Sequence, residues 1–217
     1  PSDTDFRKSM RWPVRVANTI GDCIDTEASF TLGAVYAQGH ALHAKHTAGR
    51  ICLQGDKRDV PFYEECLVER MERVFMMGET YTPEERATRD RQRTYILPKI
   101  VITSQAAATW VHDDLGLQYG RNIPRQIPDV VRHPFSRNAF LSGFISAIGT
   151  WMRRRNNIRC IKRDPGLLSQ VQTLLAEEGI KTSELHDGTT PYFENPQSQQ
   201  ATLCKTIDIR TPKLCPD

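Results

Sequence analysis

The chain has 217 residues, of which 39% are hydrophobic and 25% charged, and a formal net charge of +3. This composition is typical of a soluble globular protein of one or two domains, and no apolar run is long enough to cross a bilayer. The basic residues are 21 Arg and 8 Lys. Because guanidinium groups make bidentate contacts with phosphate, this ratio fits a nucleic-acid partner, although a GC-rich genome explains it equally well.

The six cysteines include no CxxC pair. This pattern argues against structural zinc and favours reduced thiols. The opening "PSDTDFRKSM" lacks the apolar segment of a secretory signal. We therefore expect an intracellular location, which includes mitochondria and other organelles, and no membrane partner.

A first series of elements begins with "TIGDCIDTEASFTLGAVY" (19–36), which passes from a helical to an alternating pattern. It predicts a motif helix that ends before Ala28 and a strand that starts there. The later elements are a strand "RICLQGDK" (50–57), a helix "VPFYEECLVERMERVF" (60–75), a strand "RTYILPKIVITS" (93–104) and a short helix "AAATWVHDDLG" (106–116) capped by Gly116.

Three histidines, His40, His43 and His46, lie between the first two strands. Their spacing places them loosely on one helical face, but Gly39 and Gly49 favour a loop, and no carboxylate or thiol joins them. We therefore predict a loop that reaches toward nucleic acid rather than a metal site.

A second series begins with "AFLSGFISAIGTWMRRR" (139–155), again a helix that leads into a strand. A basic hairpin with its turn near Asn156 and Asn157 follows, and then a helix with Asp164 as N-cap and Gly179 as terminator. A last strand, "ATLCKTIDIRT", resembles "YILPKIVITSQ" and aligns Lys205 with Lys99.

The two motif segments align as Ile20–Ala28 and Leu141–Gly149, with small residues at positions two, seven and nine of both. Small residues allow two helix backbones to approach closely, which predicts that these helices pack together. The Pro- and Arg-rich stretch between the two series is typical of a linker. We predict a first repeat at 14–118, a linker at 119–138 and a shortened second repeat at 139–217.

The chain contains two copies of this pattern. They are joined by "IPDVVRHPFSRNAFLSGF" and followed by "LLSQVQTLLAEEGIKTS". Together these segments resemble the LAGLIDADG homing endonucleases and related intein domains. The resemblance extends from about residue 14 to the C-terminus. It implies an α+β fold of two pseudo-symmetric α-β-β-α-β(-α) repeats, with packed central motif helices and antiparallel sheets. An unrelated α+β domain with similar apolar helices is the alternative.

In that family, position eight of each motif is an acid that holds a metal ion for phosphodiester cleavage, and Mg²⁺ is the cofactor that the resemblance implies. Here position eight is Glu27 in the first copy and Ile148 in the second, so one site lacks its acid. Gln54 resembles the polar residue that orders water, and Lys99 resembles the basic residue near the metals, with Lys205 as its counterpart. The alternative is that Glu27 and both lysines are ordinary surface charges.

Basic residues concentrate near the predicted strands, where a polyanion would bind with steep salt dependence. We expect nucleic-acid contacts from Arg50, Lys57, Arg58, Arg91, Arg93, Arg153, Arg154, Arg155, Arg159, Lys162 and Arg163.

The sequence therefore favours a nucleic-acid-binding descendant of a homing endonuclease, a pseudo-enzyme with double-strand cleavage impaired or lost. Such a protein would serve as a maturase or as a structural RNA-binding part of a ribonucleoprotein, such as an organellar ribosome, with proteins of that particle as further partners. One alternative is an active Mg²⁺-dependent DNA endonuclease or nickase that uses Glu27. Another is a protein-interaction module. The sequence does not choose between DNA and RNA.

Overall fold

The computed structural model describes residues 24–44, 47–78, 80–87, 94–117, 124–152, 154, 157–162, 164–188 and 204–210. The described residues fall into two compact units. The first takes those up to Ile123 together with Pro128–Ala147, and the second takes Pro124–Ile127 and those from Ile148 onward. Within the described part of the chain, no helix is long and apolar enough to span a membrane.

The first unit contains two motif helices, a three-stranded sheet, a hairpin and two further helices. Its elements are α1 (Thr26–Gln38), β1 (Gly39–Ala44), β2 (Thr47–Gln54), α2 (60–75), β3 (Glu84–Ala87), β4 (Thr94–Leu97), β5 (Lys99–Thr103), α3 (Gln105–Thr109, continued by a π turn at Trp110–Asp114) and α4 (Pro134–Ile148). Short 3₁₀ turns lie at Lys57–Asp59 and Asp129–Val131.

The sheet of the first unit has the order β1-β2-β5, with both pairs antiparallel. Alternate strand residues point to opposite faces. One face is fully buried and supplies Ala41, Ile51, Leu53, Ile100 and Ile102 to the core. A one-residue slip in register would expose this whole set, so the apolar alternation fixes the pairing.

The two motif helices cross in direct backbone contact. A Cβ atom on Gly33 of α1 would lie 2.1 Å from the Phe140 carbonyl oxygen, and one on Gly143 of α4 would lie 1.9 Å from the Phe30 carbonyl oxygen. Both distances are far inside van der Waals contact, so only glycine permits this approach. A motif helix of the first series therefore packs against one of the second, but it is Thr26–Gln38 rather than the predicted Ile20–Ala28.

The predicted bounds of the first motif helix are wrong. Helix α1 begins at Thr26, after the N-cap Asp25, whose carboxylate accepts a hydrogen bond from the Ala28 amide at 2.7 Å. The predicted strand from Ala28 is therefore helix. Because α1 is buried around most of its circumference, its apolar and small residues lack the one-sided period of a surface helix.

The first strand lies instead in the histidine-rich stretch, where a loop was predicted. His40 and His43 belong to β1, and His46 lies outside the described residues. The predicted helix at 60–75 is confirmed, with a π turn at Tyr63–Leu67. The predicted strand at 93–104 is two strands, β4 and β5, divided at Pro98. Gly116, with φ of +75°, follows the last turn of α3 as predicted.

The described residues of the second unit form a four-stranded antiparallel sheet and one helix. Its elements are β6 (Gly149–Met152), β7 (Asn157–Lys162), α5 (Pro165–Glu177), β8 (His186–Gly188) and β9 (Cys204–Arg210), and the strand order is β6-β7-β9-β8. The predicted hairpin, helix and last strand are confirmed. The apolar face of α5 is buried as expected, through Leu167, Leu168, Val171, Leu174 and Leu175.

Two polar side chains attach the segment 124–127 to the start of α5. Asp164 caps the helix through the Leu167 amide at 3.0 Å and also accepts from the Arg125 amide at 3.1 Å. Gln170 accepts from the Ile127 amide at 2.8 Å and donates to the Arg125 carbonyl at 2.9 Å. This segment therefore joins the second unit, although it lies in the predicted linker.

The compact units and the predicted repeats divide the chain differently. Helix α4 begins at Pro134, inside the predicted linker, and belongs almost wholly to the first unit. The physical reason is its backbone contact with α1, which ties the motif helix of the second repeat to the first.

Candidate nucleic-acid interface

The glycine contact sets the register of the two motifs. Gly33 and Gly143 occupy equivalent positions, and each motif helix passes directly into a strand that begins with glycine, Gly39 or Gly149. The equivalent segments are therefore 31–39, "TLGAVYAQG", and 141–149, "LSGFISAIG". Position eight, the place of the metal-holding acid in the resemblance, is Gln38 in the first copy and Ile148 in the second.

Glu27 does not lie at the carboxyl end of its helix. It occupies the first turn of α1, where its carboxylate accepts from the Arg73 Nε at 2.9 Å. Arg73 also pairs with Glu69 one turn earlier on α2. The hydrogen bond from Arg73 to Glu27 is the main cause of a raised pKa of the guanidinium. The predicted position of Glu27 at the end of the motif is wrong, because the register of the first copy moves by eleven residues.

Gln38 is held by three neighbours at the end of α1. Its amide nitrogen donates to the Ala147 carbonyl of α4 and, at 3.1 Å, to the Asp59 carboxylate. Its amide oxygen accepts from the Tyr63 hydroxyl at 2.7 Å. Both ends of the amide are therefore engaged, and the side chain joins the two motif helices where a carboxylate was expected.

Asp59 is the carboxylate that contacts Gln38. The same oxygen, Oδ2, accepts from the Asp56 amide at 2.7 Å, which closes a capping box at the 3₁₀ turn after β2. Asp59 also raises the pKa of Tyr63, after burial as the larger cause. Sequence reasoning missed this network. The shared glycines at positions three and nine of the segments 31–39 and 141–149 are the signal that would have found Gln38.

The predicted residues Gln54 and Lys99 lie side by side. They are directly opposed in the β2–β5 register, so their side chains share the face of the sheet that points away from the core. Gln54 Nε2 donates to the Glu84 carboxylate at 3.2 Å. Glu84 belongs to the β3–β4 hairpin and also accepts from Arg86 Nε at 2.9 Å.

The outward face of the β1–β2–β5 sheet carries both charge and apolar surface. Arg50 is exposed, and His40, Cys52 and Lys99 are partly buried. Partial burial raises the pKa of the Cys52 thiol, and the positive charges of Lys99 and Arg50 act against this rise. The two cations therefore lie on either side of Cys52, since Arg50 precedes it by two residues on β2 and Lys99 is paired with Gln54, two residues after it. Such cations suit a surface that meets a polyanion.

Beside this sheet, Lys57 and Arg58 lie on the 3₁₀ turn, and both are exposed. The Lys57 ammonium stands 5.7 Å from the centre of the Tyr95 ring. Arg58 pairs with Asp56 at 3.1 Å. Of the predicted contacts in the first repeat, Arg91 and Arg93 lie outside the described residues.

The second sheet does not repeat the Gln54 and Lys99 pair of the first sheet. One row of directly paired residues in the second sheet consists of Gly149, Cys160 and Ile207. It corresponds to the row of Gly39, Leu53 and Ile100 in the first sheet. One step along each pair of strands, the counterparts of Gln54 and Lys99 are therefore Ile161 and Thr206. The predicted equivalence of Lys205 with Lys99 is wrong by one residue, because Thr206 and not Lys205 occupies the corresponding register position.

Lys162 also differs from a surface phosphate contact. It shares a strand face with the buried Cys160 and is itself partly buried. Burial lowers the pKa of its amine to about 7, with a further lowering by Arg125 and an opposing effect of Asp164. Its charge at neutral pH is therefore partial.

Of the other cations of the second hairpin, Arg154 is exposed and Arg159 is partly buried. Arg159 is directly opposed to Thr150 and Asp208 in the sheet register. Arg153, Arg155 and Arg163 lie outside the described residues, as does the side chain of Lys205.

The residues at the two motif ends do not fit a divalent metal ion. Mg²⁺ requires oxygen ligands of high charge density, usually carboxylates. Ile148 offers no ligand atom, and both polar atoms of the Gln38 amide are already hydrogen bonded. Among the described residues, no group of three or more His, Cys, Asp or Glu side chains is placed to hold a metal.

The chain has the fold of the LAGLIDADG homing endonucleases. It is similar to the homing endonuclease I-DmoI, with a TM-score of 0.50 and 12% identity over 85% of this chain and 88% of that one. I-DmoI in complex with DNA and Ca gives a TM-score of 0.51 at 12% identity, over 85% of this chain and 82% of that one. The homing endonuclease I-WcaI bound to its DNA recognition sequence gives 0.50 at 12% identity, over 97% and 84%. No protein-family model matches the sequence, and no curated protein matches it.

Proposed function

We propose that this protein binds structured nucleic acid on the outward face of the β1–β2–β5 sheet and cleaves neither strand. The observation that carries the proposal is the pair of residues at position eight, Gln38 and Ile148. Neither carries the carboxylate that holds the catalytic metal in an enzyme of this fold.

The packing of the motif helices supports binding, and the side chains at their ends argue against cleavage. The glycine contact that brings α1 and α4 together is intact, so the scaffold for binding is present. Gln38 is committed to hydrogen bonds that join the helices. In the second half Ile161 and Thr206 replace the Gln54 and Lys99 pair. Binding needs the scaffold and the cations, whereas cleavage needs the lost carboxylates as well.

The similar structures I-DmoI and I-WcaI are complexes with DNA. For this chain we propose that structured RNA is also a partner, within a ribonucleoprotein or as the substrate of a maturase. Arg50 and Lys99 would contact phosphates, which both polymers share. A comparison of the two polymers in one assay therefore belongs in the binding test.

Filter binding at several salt concentrations should show affinity for duplex DNA or hairpin RNA that falls steeply as salt rises, because each phosphate contact releases counterions. Arg50→Gln and Lys99→Gln should each reduce the slope of log K against log salt by about one. Lys181→Gln is the matched control, since Lys181 is an exposed lysine of the second unit outside this face. Salt-independent binding, or no binding to either polymer, would contradict the proposal.

Incubation of supercoiled plasmid libraries with the protein and Mg²⁺ or Mn²⁺ should give no linear product and no open circles above background. The physical reason is the missing carboxylate at both motif ends. Asp59→Asn provides the control, because Asp59 is the described carboxylate in contact with Gln38. Metal-dependent cutting that disappears in this variant would show that Asp59 has taken over the role of the motif acid and would overturn the proposal.

A further inference from the structure

The carboxylate of Glu84 accepts hydrogen bonds from two polar side chains beside the proposed interface. Glu84 Oε1 accepts from Arg86 Nε at 2.9 Å, and Glu84 Oε2 accepts from Gln54 Nε2 at 3.2 Å. The two oxygens are therefore occupied by two different donors. A phosphate group offers the same arrangement, with two unesterified oxygens that accept separately.

Lys99 belongs to the same cluster. It is directly opposed to Gln54 in the sheet, and its positive charge helps to lower the pKa of Glu84, after the larger effect of Arg86. The carboxylate therefore stays ionised at neutral pH. Its negative charge lies near the Arg86 guanidinium, the Lys99 ammonium and the Gln54 amide, three groups that are each able to contact a phosphate.

We infer that Glu84 is a selectivity residue that occupies a phosphate position on the β1–β2–β5 face and so weakens binding to nucleic acid that lacks the fitting shape or sequence. This inference rests on the proposed function and concerns the same face. A phosphate that approaches Arg86 and Gln54 must displace the carboxylate or be repelled by it. Only a partner with enough further contacts compensates for this loss, which is how repulsive elements produce specificity.

The exposure of the cluster agrees with this role. The side chain of Glu84 is 39% exposed and that of Arg86 51% exposed, so the pair contributes little to the stability of the fold. Substitution at Glu84 should therefore change binding without unfolding the chain.

The test compares Glu84→Gln with Glu85→Gln. Glu85 is the adjacent residue of β3, is exposed and points to the opposite face of the hairpin, so both variants remove one negative charge. For random-sequence duplex, Glu84→Gln should raise the affinity roughly three- to tenfold and steepen the slope of log K against log salt by about one, the effect of one added phosphate contact. Glu85→Gln should leave the slope unchanged. Equal effects of the two variants would overturn the inference.

A second measurement needs no nucleic acid. Inorganic phosphate is titrated into the full chain while NMR follows the Nε–H resonance of Arg86. The Glu84→Gln protein should bind phosphate several-fold more tightly than the wild type, and equal affinities would overturn the inference. If this difference is found but neither polymer binds the wild type, the proposed function fails, and with it the role of Glu84 in nucleic-acid selectivity, whereas its occupation of a phosphate position stands.

Discussion

Replacement of Gly143 by alanine is expected to lower the free energy of unfolding by about 3 kcal/mol, the upper range for overpacking in a core. The added Cβ would lie 1.9 Å from the Phe30 carbonyl oxygen. The obstacle is backbone, which cannot rotate aside as a flexible side chain does, so the two motif helices must separate. Urea unfolding followed by circular dichroism measures the loss.

Gly78→Ala is the matched control, because a Cβ there meets no atom within 4 Å. Gly33→Ala should cost about as much as Gly143→Ala. The double variant should cost less than the sum, since one separation of the helices relieves both clashes. A loss of under about 0.5 kcal/mol for Gly143→Ala, the range of a surface substitution, would mean that the helices do not touch in this way.

Replacement of Leu174 by alanine should lower the free energy of unfolding by roughly 2–5 kcal/mol, through the loss of buried methyl groups and the cavity left behind. Leu174 is 1% exposed on the apolar face of α5. The adjacent Thr173 is exposed, so Thr173→Ala in the same helix provides the control. If the two variants lost equal stability in urea unfolding, the packing of α5 in the second unit would be refuted.

The elements that could be predicted from the sequence carry their signals locally. Helix α5 has an N-cap, a proline in its first turn and an amphipathic face, and it was predicted within one or two residues. Helix α2 has a similar one-sided face. Such signals arise from contacts within a few residues of the chain and do not depend on the tertiary fold.

Helix α1 could not be placed in this way, because tertiary contact determines its composition. Its buried faces lie against several elements, including α4 at Gly33 and the end of α3, whose Leu115 carbonyl accepts from the Tyr36 hydroxyl. A helix buried on several sides shows no amphipathic period. The misplaced register then assigned the motif acid to Glu27 and hid Gln38.

The residues of the candidate site also divide into those that have a local sequence signal and those that do not. Gln54 and Lys99 were identified through the resemblance to the homing endonucleases, which compares short segments of sequence around each residue. Glu84 and Asp59 were missed, since their importance comes from contacts with Gln54 and Gln38 that join separate elements of the chain. One local signal gave a wrong result. Similar strand sequences aligned Lys205 with Lys99, whereas the strand pairing shows that the counterpart of Lys99 is Thr206.

The contact between the motif helices has the symmetry of an isologous dimer interface contained in one chain. On each helix, the residue three positions before the glycine supplies the carbonyl that meets the glycine of the other helix, Phe30 for Gly143 and Phe140 for Gly33. In such an interface the same surface patch is used on both sides, so each helix contributes both a glycine and a carbonyl to the contact. A substitution in either helix therefore changes both halves of the contact at once. At the helix ends the contact is one-sided instead, because Gln38 donates to the Ala147 carbonyl of α4, whereas Ile148 offers no polar side-chain atom in return.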